Sequence, residues 1–239
     1  MSVAAGPVYN SVSEITGPSG WYNVRVNNQN VLVYVNQIYD GGGWVMVLAN
    51  RGNTGGMNNL TYADAVNNCN YRTSGPITGA TGIGIGDLSN YSAFIGTSYW
   101  SALSGRVTAG KTTIVQFVST ANGTSLNATG SHNKRYRWRF DSFNSTYGMI
   151  GATALSDETG TGAPGFYAYH AVNGYSLTTF DTDQDAYSGI NCSSYYNNNP
   201  WWYGACWDGN YFAGGGYGDY PFWAGSGGDY WQYGAVYIK

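Results

Sequence analysis

Residues Thr178 to Gly218 read TTFDTDQDAYSGINCSSYYNNNPWWYGACWDGNYFAGGGYG. Three carboxylates, Asp181, Asp183 and Asp185, alternate with other residues at its start. That spacing lets one tight loop aim several oxygens at a single point. A hard cation such as Ca2+ takes a shell of that kind, with carboxylate and carbonyl oxygens at about 2.3–2.6 Å. An EF-hand reading fails, because the last position of such a loop, counted from Asp181, is Cys192 rather than Glu. Downstream, Cys192 and Cys206 could staple the loop that carries Trp201, Trp202 and Tyr203, a closure worth about 3 kcal/mol in the chain-entropy picture. A cation-pinned, stapled aromatic surface suggests binding more than catalysis.

Composition narrows the class. Charged residues make up only 10% of the 239, and aromatics 17%, so the chain does not have the makeup of a solvated, disordered segment. With 36 Gly and 23 Tyr it fits a loop-rich, mostly β protein in which Tyr and Trp fill a core and also cover loops. A net charge of −3 gives no basic footprint for nucleic acid. The one basic cluster, Lys134, Arg135, Arg137 and Arg139, alternates along an expected strand and reads as a solvated face. No apolar run approaches the roughly 18 residues that span a bilayer, so membrane insertion is not expected. The opening MSVAAGPVYN lacks a basic region followed by an apolar one, so a signal peptide is not expected either. Six N-x-S/T sequons read as chance in a chain rich in Asn, Ser and Thr. Cys69 is the cysteine left over and is expected to be a small thiol without a partner.

Strand-like patterns dominate the organisation. Trp21–Val26 and Val31–Val35 flank Asn27–Asn30, which is good turn chemistry. Trp44–Leu48 is a continuous apolar run of strand length. Thr113–Val118, Arg135–Phe140 and Val236–Ile238 are further expected strands. Helices are expected at Tyr62–Cys69, with Ala63, Ala65 and Val66 inward, and at Asn90–Phe94. With neither a linker nor a long-period repeat, one domain over residues 1–239 is expected.

Catalytic constellations are thin. Gly105–Thr112 satisfies the P-loop pattern, but the β-branched run after it reads as a strand where a phosphate-binding helix is needed. Gly82–Gly86 lacks the βαβ context of a dinucleotide fingerprint. His132 and His170 are the two histidines, and no G-x-S-x-G, CxxC or HExxH spacing accompanies them. No enzyme is expected, although facing carboxylates in a cleft would revive a glycoside hydrolase.

Two separate stretches resemble the fibrinogen-like (fibrinogen C-terminal) domain family. One is Thr178–Gly218. The other is SGWYNVRVNNQNVLVYVNQIYDGGGWVMVLANRG, Ser19–Gly52, above all the GGGW of Gly41–Trp44. They stand in the right order about a domain apart, while similarity between them is faint. His170–Gly174 sits where the family has a short His-Asn-Gly turn. The resemblance implies an α+β, mostly β fold with a twisted antiparallel sheet, few short helices and a loop-rich, calcium-binding C-terminal subdomain. Its parts would fall at about 1–50, 51–175 and 176–239. The implied calcium ligands are the side chains of Asp183 and Asp185 and the carbonyls of Tyr187 and Gly189, with Asp181 in support. The family's C-terminal disulfide matches Cys192–Cys206. Its N-terminal cysteine pair is replaced by Val12 and Val35, and the Cys-His pair of its ligand pocket by Cys206-Trp207.

Family members mostly bind acetylated sugars, microbial surfaces or protein knobs. The functional expectation is therefore a virion surface protein, such as a bacteriophage capsid decoration, fibre or tail adhesin. It would be made in a host cytosol and would bind a cell-surface glycan at a pocket of Trp201, Trp202, Tyr203, Trp207 and Tyr211. The alternatives are a structural module that cements an assembly through other virion proteins or its own copies, and a secreted lectin.

Overall fold

Apolar alternation along the first fifty residues builds half of a large sheet. The computed structural model describes residues 6–50, 57–68, 71–72, 93–104, 113–120, 134–151, 153–154, 174–206, 209–210, 222–223 and 233–239. The chain opens with β1 (Val8–Tyr9), β2 (Gly20–Val26), β3 (Gln29–Asn36) and β4 (Trp44–Asn50). Short strands β5 (Tyr71–Arg72) and β6 (Ala93–Phe94) precede the long β7 (Thr113–Thr120) and β8 (Lys134–Phe140). Then come β9 (Ser142–Phe143), β10 (Met149–Ile150), β11 (Thr153–Ala154), β12 (Gly209–Asn210), β13 (Phe222–Trp223) and β14 (Tyr233–Ile238). Helices are short: α1 (Tyr62–Asn67), α2 (Trp100–Leu103) and α3 (Cys192–Tyr195).

The main sheet runs β1-β2-β3-β4-β14-β7-β8-β11, antiparallel except for the parallel β1–β2 pair. Past the residues that β3 uses, β4 pairs with β6, which in turn holds β5. The expected strands are all present and most run one or two residues longer. The β2–β3 turn is tighter than expected, because Gln29 and Asn30 pair with Val26 and Arg25. Only Asn27 and Asn28 turn, with φ of 48° and 64°. Positive φ at both central residues matches the strand twist of a two-residue hairpin, and Asn enters that region more readily than other non-glycine residues.

The expected helix at Asn90–Phe94 is overturned at its described end. Ala93 and Phe94 form β6 against Ala49 and Leu48. Edge pairing to a buried strand outweighs local propensity there. The helical turn comes later, where a 3-10 turn at Thr97–Tyr99 feeds α2. Trp100 is fully buried and its Nε1 donates to the Ile95 carbonyl at 2.7 Å. In α1, Ala65 and Val66 are buried as expected, but Ala63 is exposed. Tyr62, Ala65 and Val66 share the inward helical face, and Ala63 falls on the other.

β4 is buried along its whole length, so both faces of the sheet are covered at its centre. One face contributes Val24, Val33, Val35, Val45, Val47 and Val236 to a cluster shared with α1, α2 and the segment around Trp202. The other face gathers Tyr34, Trp44, Met46, Ala235 and Tyr237. Complete burial pushes the Tyr237 hydroxyl far above its ordinary range, with Tyr34 adding to it. Val12 and Val35, which the resemblance matches to a cysteine pair, both lie in the first cluster.

Candidate cation-binding turn

A ladder of backbone bonds seats the acidic segment on the core. Thr178 and Trp201 exchange N–H···O bonds of 2.9 and 3.1 Å, and Leu177 N–H donates to the Thr146 carbonyl at 3.0 Å. Thr179 and Thr182 pair in the same way at 3.0 and 3.2 Å, which forces a tight reversal across Phe180 and Asp181. The Gln184 side chain donates back to the Leu177 carbonyl at 2.9 Å. Ala186 N–H donates to the Gly204 carbonyl at 3.0 Å, tying the acidic turn to the chain just before Cys206.

Within this frame Asp183 and Asp185 come together. Asp183 Oδ1 accepts from the Asp185 N–H at 3.4 Å. Asp185 spreads its two oxygens, Oδ1 accepting from Tyr187 N–H and Oδ2 from Cys192 N–H, each at 2.8 Å. Loss of hydration, and next the charge of Asp185, push the Asp183 carboxyl above its ordinary value. Two like charges held together in this way suit a divalent cation, which reverses the sign of the second effect. Each Asp185 oxygen keeps accepting capacity beyond its one backbone partner. Tyr187, Ser188 and Gly189 are exposed, and the Tyr187 ring lies over Gly189, where an added Cβ would meet it at 3.0 Å. Among the described residues, no group of three or more His, Cys, Asp or Glu converges, so a cation here would have to rely on two carboxylates and on carbonyls.

Asp181 does something other than support this pair through the bonds it makes. Its Oδ1 accepts from Thr179 Oγ1 at 2.7 Å and from the Tyr62 N–H at 2.9 Å. Tyr62 is the first residue of α1, whose capping residue Thr61 accepts from Asp64 N–H at 3.1 Å. Asp181 therefore satisfies one of the donors that a helix start leaves open and ties the turn to α1. The sequence carried no local signal for that link, which spans 119 positions.

Cys192 and Cys206 are disulfide-bonded, with Cα atoms 5.0 Å apart. Cys192 is fully buried as the first residue of α3, whose cap Asn191 accepts from Ser194 N–H at 3.0 Å. Cys206 is half-buried and holds a left-handed φ of 74°.

The aromatic residues expected to line a ligand pocket divide into two groups. Trp201, Trp202 and Tyr203 are 1%, 1% and 3% exposed, which corrects their assignment to a ligand surface. Trp202 packs 5.7 Å from Trp100 and 5.3 Å from Trp201 between ring centroids, and its Nε1 donates to the Tyr147 carbonyl at 2.7 Å. Tyr203 hydroxyl donates to the Asn199 carbonyl at 2.9 Å. Burying large rings against the sheet gains more than exposing them, so they are core. Trp207 and Tyr211 lie outside the described residues, as do Cys69, His132, His170 and the glycine runs at 82–86 and 105–110. Unforeseen from sequence is the support beneath Trp202. Tyr147 has a φ of 59°, and Asn144 Oδ1 accepts from Thr146 N–H and Gly148 N–H at 2.9 and 2.7 Å to build that turn. The Asn-Ser-Thr-Tyr-Gly stretch was its one visible sign.

Known structures share this fold. The fibrinogen-like globe domain of human ANGPTL6 superposes with a TM-score of 0.65 at 19% identity, covering 100% of this chain and 98% of that one. That of human ANGPTL2 gives 0.61 at 20%, covering 95% of each. At such identities the two show a fibrinogen-like globe fold, mostly β with few short helices. No curated protein sequence matches the chain. Residues 85–233, more than half of the chain, match the family described as fibrinogen beta and gamma chains, C-terminal globular domain. The chain belongs to that family.

Proposed function

We propose that the chain is a non-enzymatic, Ca2+-stabilised binding module that recognises a cell-surface glycan from the surface of a virion. Domains of this family are generally non-enzymatic modules that often bind a ligand. The observation that carries the reading is how the chain leaves its core. Trp201 to Gly204 are buried, Ala205 is exposed, Cys206 is half-buried, and Trp207 comes next. The disulfide and the Ala186–Gly204 bond clamp that exit against the acidic turn. Held in this way, Gly204 to Cys206 would lose little conformational entropy when a ligand docks beside them. Asp183 and Asp185 would hold the cation with the carbonyls of Tyr187 and Gly189. Trp207 and Tyr211 remain as the sugar-stacking residues, since the buried Trp201, Trp202 and Tyr203 support the exit from beneath.

Binding of the wild-type chain to a glycan array, lost in Trp207→Ala while the melting temperature is kept, is the expected result. Array binding that survives Trp207→Ala removes the pocket assignment. An array without any binder, with the chain co-purifying in assembled particles, replaces the reading with that of a cementing module. Absence from purified particles removes the virion setting and leaves a secreted lectin.

A further inference from the structure

We infer that the Cys192–Cys206 disulfide is a redox-sensitive latch that sets the shape of the Asp183–Gly189 turn. Both ends of the disulfide reach that turn through described hydrogen bonds. At one end, the Cys192 N–H donates to Asp185 Oδ2 at 2.8 Å. At the other, the Gly204 carbonyl, two residues before Cys206, accepts from the Ala186 N–H at 3.0 Å. Asp185 Oδ1 passes the constraint on to Tyr187 N–H at 2.8 Å. The turn is exposed from Ala186 to Ile190 and has little burial of its own to hold it, so its order depends on these anchors.

Two properties of Cys206 make the bond responsive rather than inert. Cys206 is only half-buried as a residue, whereas Cys192 is fully buried, so of the two it is the one a small thiolate would reach first. Its backbone has a φ of 74°, a region that costs a non-glycine residue energy unless the surroundings enforce it. Once the bond is cut, Cys206 is free to relax out of that region and carry Gly204 with it. The chain has three cysteines, so a reductant has a single intrachain disulfide to act on.

The step balances with a low-molecular-weight dithiol as reductant. One thiolate of the dithiol attacks Cys206 Sγ, the Cys192–Cys206 bond breaks, and Cys192 leaves as a thiolate that takes up a proton. The second thiol of the dithiol then attacks the mixed disulfide, releasing Cys206 as a thiol and oxidising the dithiol to its own disulfide. The reverse, with a small-molecule disulfide as oxidant, closes the latch when a chain made under reducing conditions leaves them.

The test compares oxidised protein with protein treated with dithiothreitol, by hydrogen exchange in EDTA so that no cation takes part. The amides of Ala186, Tyr187 and Cys192 should exchange at least about tenfold faster after reduction, while those of β4 and β14 stay protected. Unchanged protection at those three amides overturns the latch. A pair of variants isolates the strain at Cys206. Cys192→Ala/Cys206→Gly, where glycine adopts positive φ freely, should keep more turn protection than Cys192→Ala/Cys206→Ala. Equal protection in the two overturns the role assigned to Cys206. A second readout rests on the cation reading above: the rise in melting temperature with calcium should fall to less than about half in the reduced protein. If calcium gives no rise in either form while exchange still responds, the latch stands and the cation reading falls. Equal rises in both forms with unchanged exchange remove the latch and leave the cation reading standing.

Discussion

Asp183 and Asp181 stand two positions apart and have opposite work. Asp183 faces Asp185 and is held above its ordinary 3.8 by lost hydration and by that neighbour. The folded chain thus keeps this proton to higher pH than the unfolded chain does. Without a cation, ionising Asp183 costs stability as pH rises through 3.8 and on through the raised folded value. A cation reverses the sign, because it binds the ionised pair and competes with protons. Saturating calcium at about a hundredfold over its dissociation constant should add about 2.7 kcal/mol, or roughly 5–10 °C in melting temperature for a chain of this size. That gain should shrink as falling pH protonates Asp183, whose carboxyl holds its proton to higher pH than an ordinary one, as monitored by thermal melts with and without EDTA. Asp183→Ala should remove the gain at pH 7 and slightly raise the cation-free melt, because its repulsion with Asp185 goes with it. Asp181→Ala should do the reverse. It gives up the bond to the start of α1, at about 0.5–2 kcal/mol for a lost helix-start partner, and retains the calcium response. A calcium response lost in Asp181→Ala would return that residue to the cation. For Trp202→Ala a different signature is expected, a loss of about 3–5 kcal/mol in urea unfolding, as befits a core residue.

Among the elements, agreement with sequence follows how far each is set by its own residues. β2, β3 and β4 were legible because alternation and a continuous apolar run are local signals, and the Asn-rich turn is local chemistry. Asn28→Gly should stabilise this hairpin by a few tenths of a kcal/mol to about 1 kcal/mol, since φ of 64° suits glycine. An unchanged unfolding midpoint would mean the turn does not limit stability. Helix α2 and strand β6 were misplaced because partners far along the chain decide them. Leu48 and Ala49 turn Ala93–Phe94 into a strand, and Gly96 must pass so close to α1 that an added Cβ would sit 2.3 Å from the Val66 carbonyl. Gly96→Ala should therefore displace α1 from α2 and lower the melting temperature by several degrees, by about 1–3 kcal/mol as an overpacked site. The placement of Trp201, Trp202 and Tyr203 in a pocket failed for a related reason. A Trp-Trp-Tyr run beside a disulfide looks the same in sequence whether it faces solvent or the sheet, and only the position of Tyr147 and Trp100 puts it inside.

At the scale of the molecule, the two stretches that carried the family resemblance lie at opposite ends of the sequence yet meet in one cluster. Val24, Val35 and Val45 share it with Leu177, Cys192 and Trp202. Shared burial of this kind predicts a single unfolding transition, with fluorescence and far-ultraviolet circular dichroism tracing the same curve. Separate midpoints would divide the core. The pairing of Asp183 with Asp185 was readable because it is short in sequence, whereas the anchors of the acidic turn, Tyr62 and Gly204, are contacts no local pattern encodes. The order of strands has one more consequence. β14, near the end of the sequence, lies between β4 and β7 and hydrogen-bonds to both. During synthesis on a ribosome, β4 must wait with one edge bare for some 180 residues before that neighbour emerges. Nascent chains are thus obliged to protect the open edge of an apolar strand, and β14, emerging long after β4, acts as the keystone of the sheet.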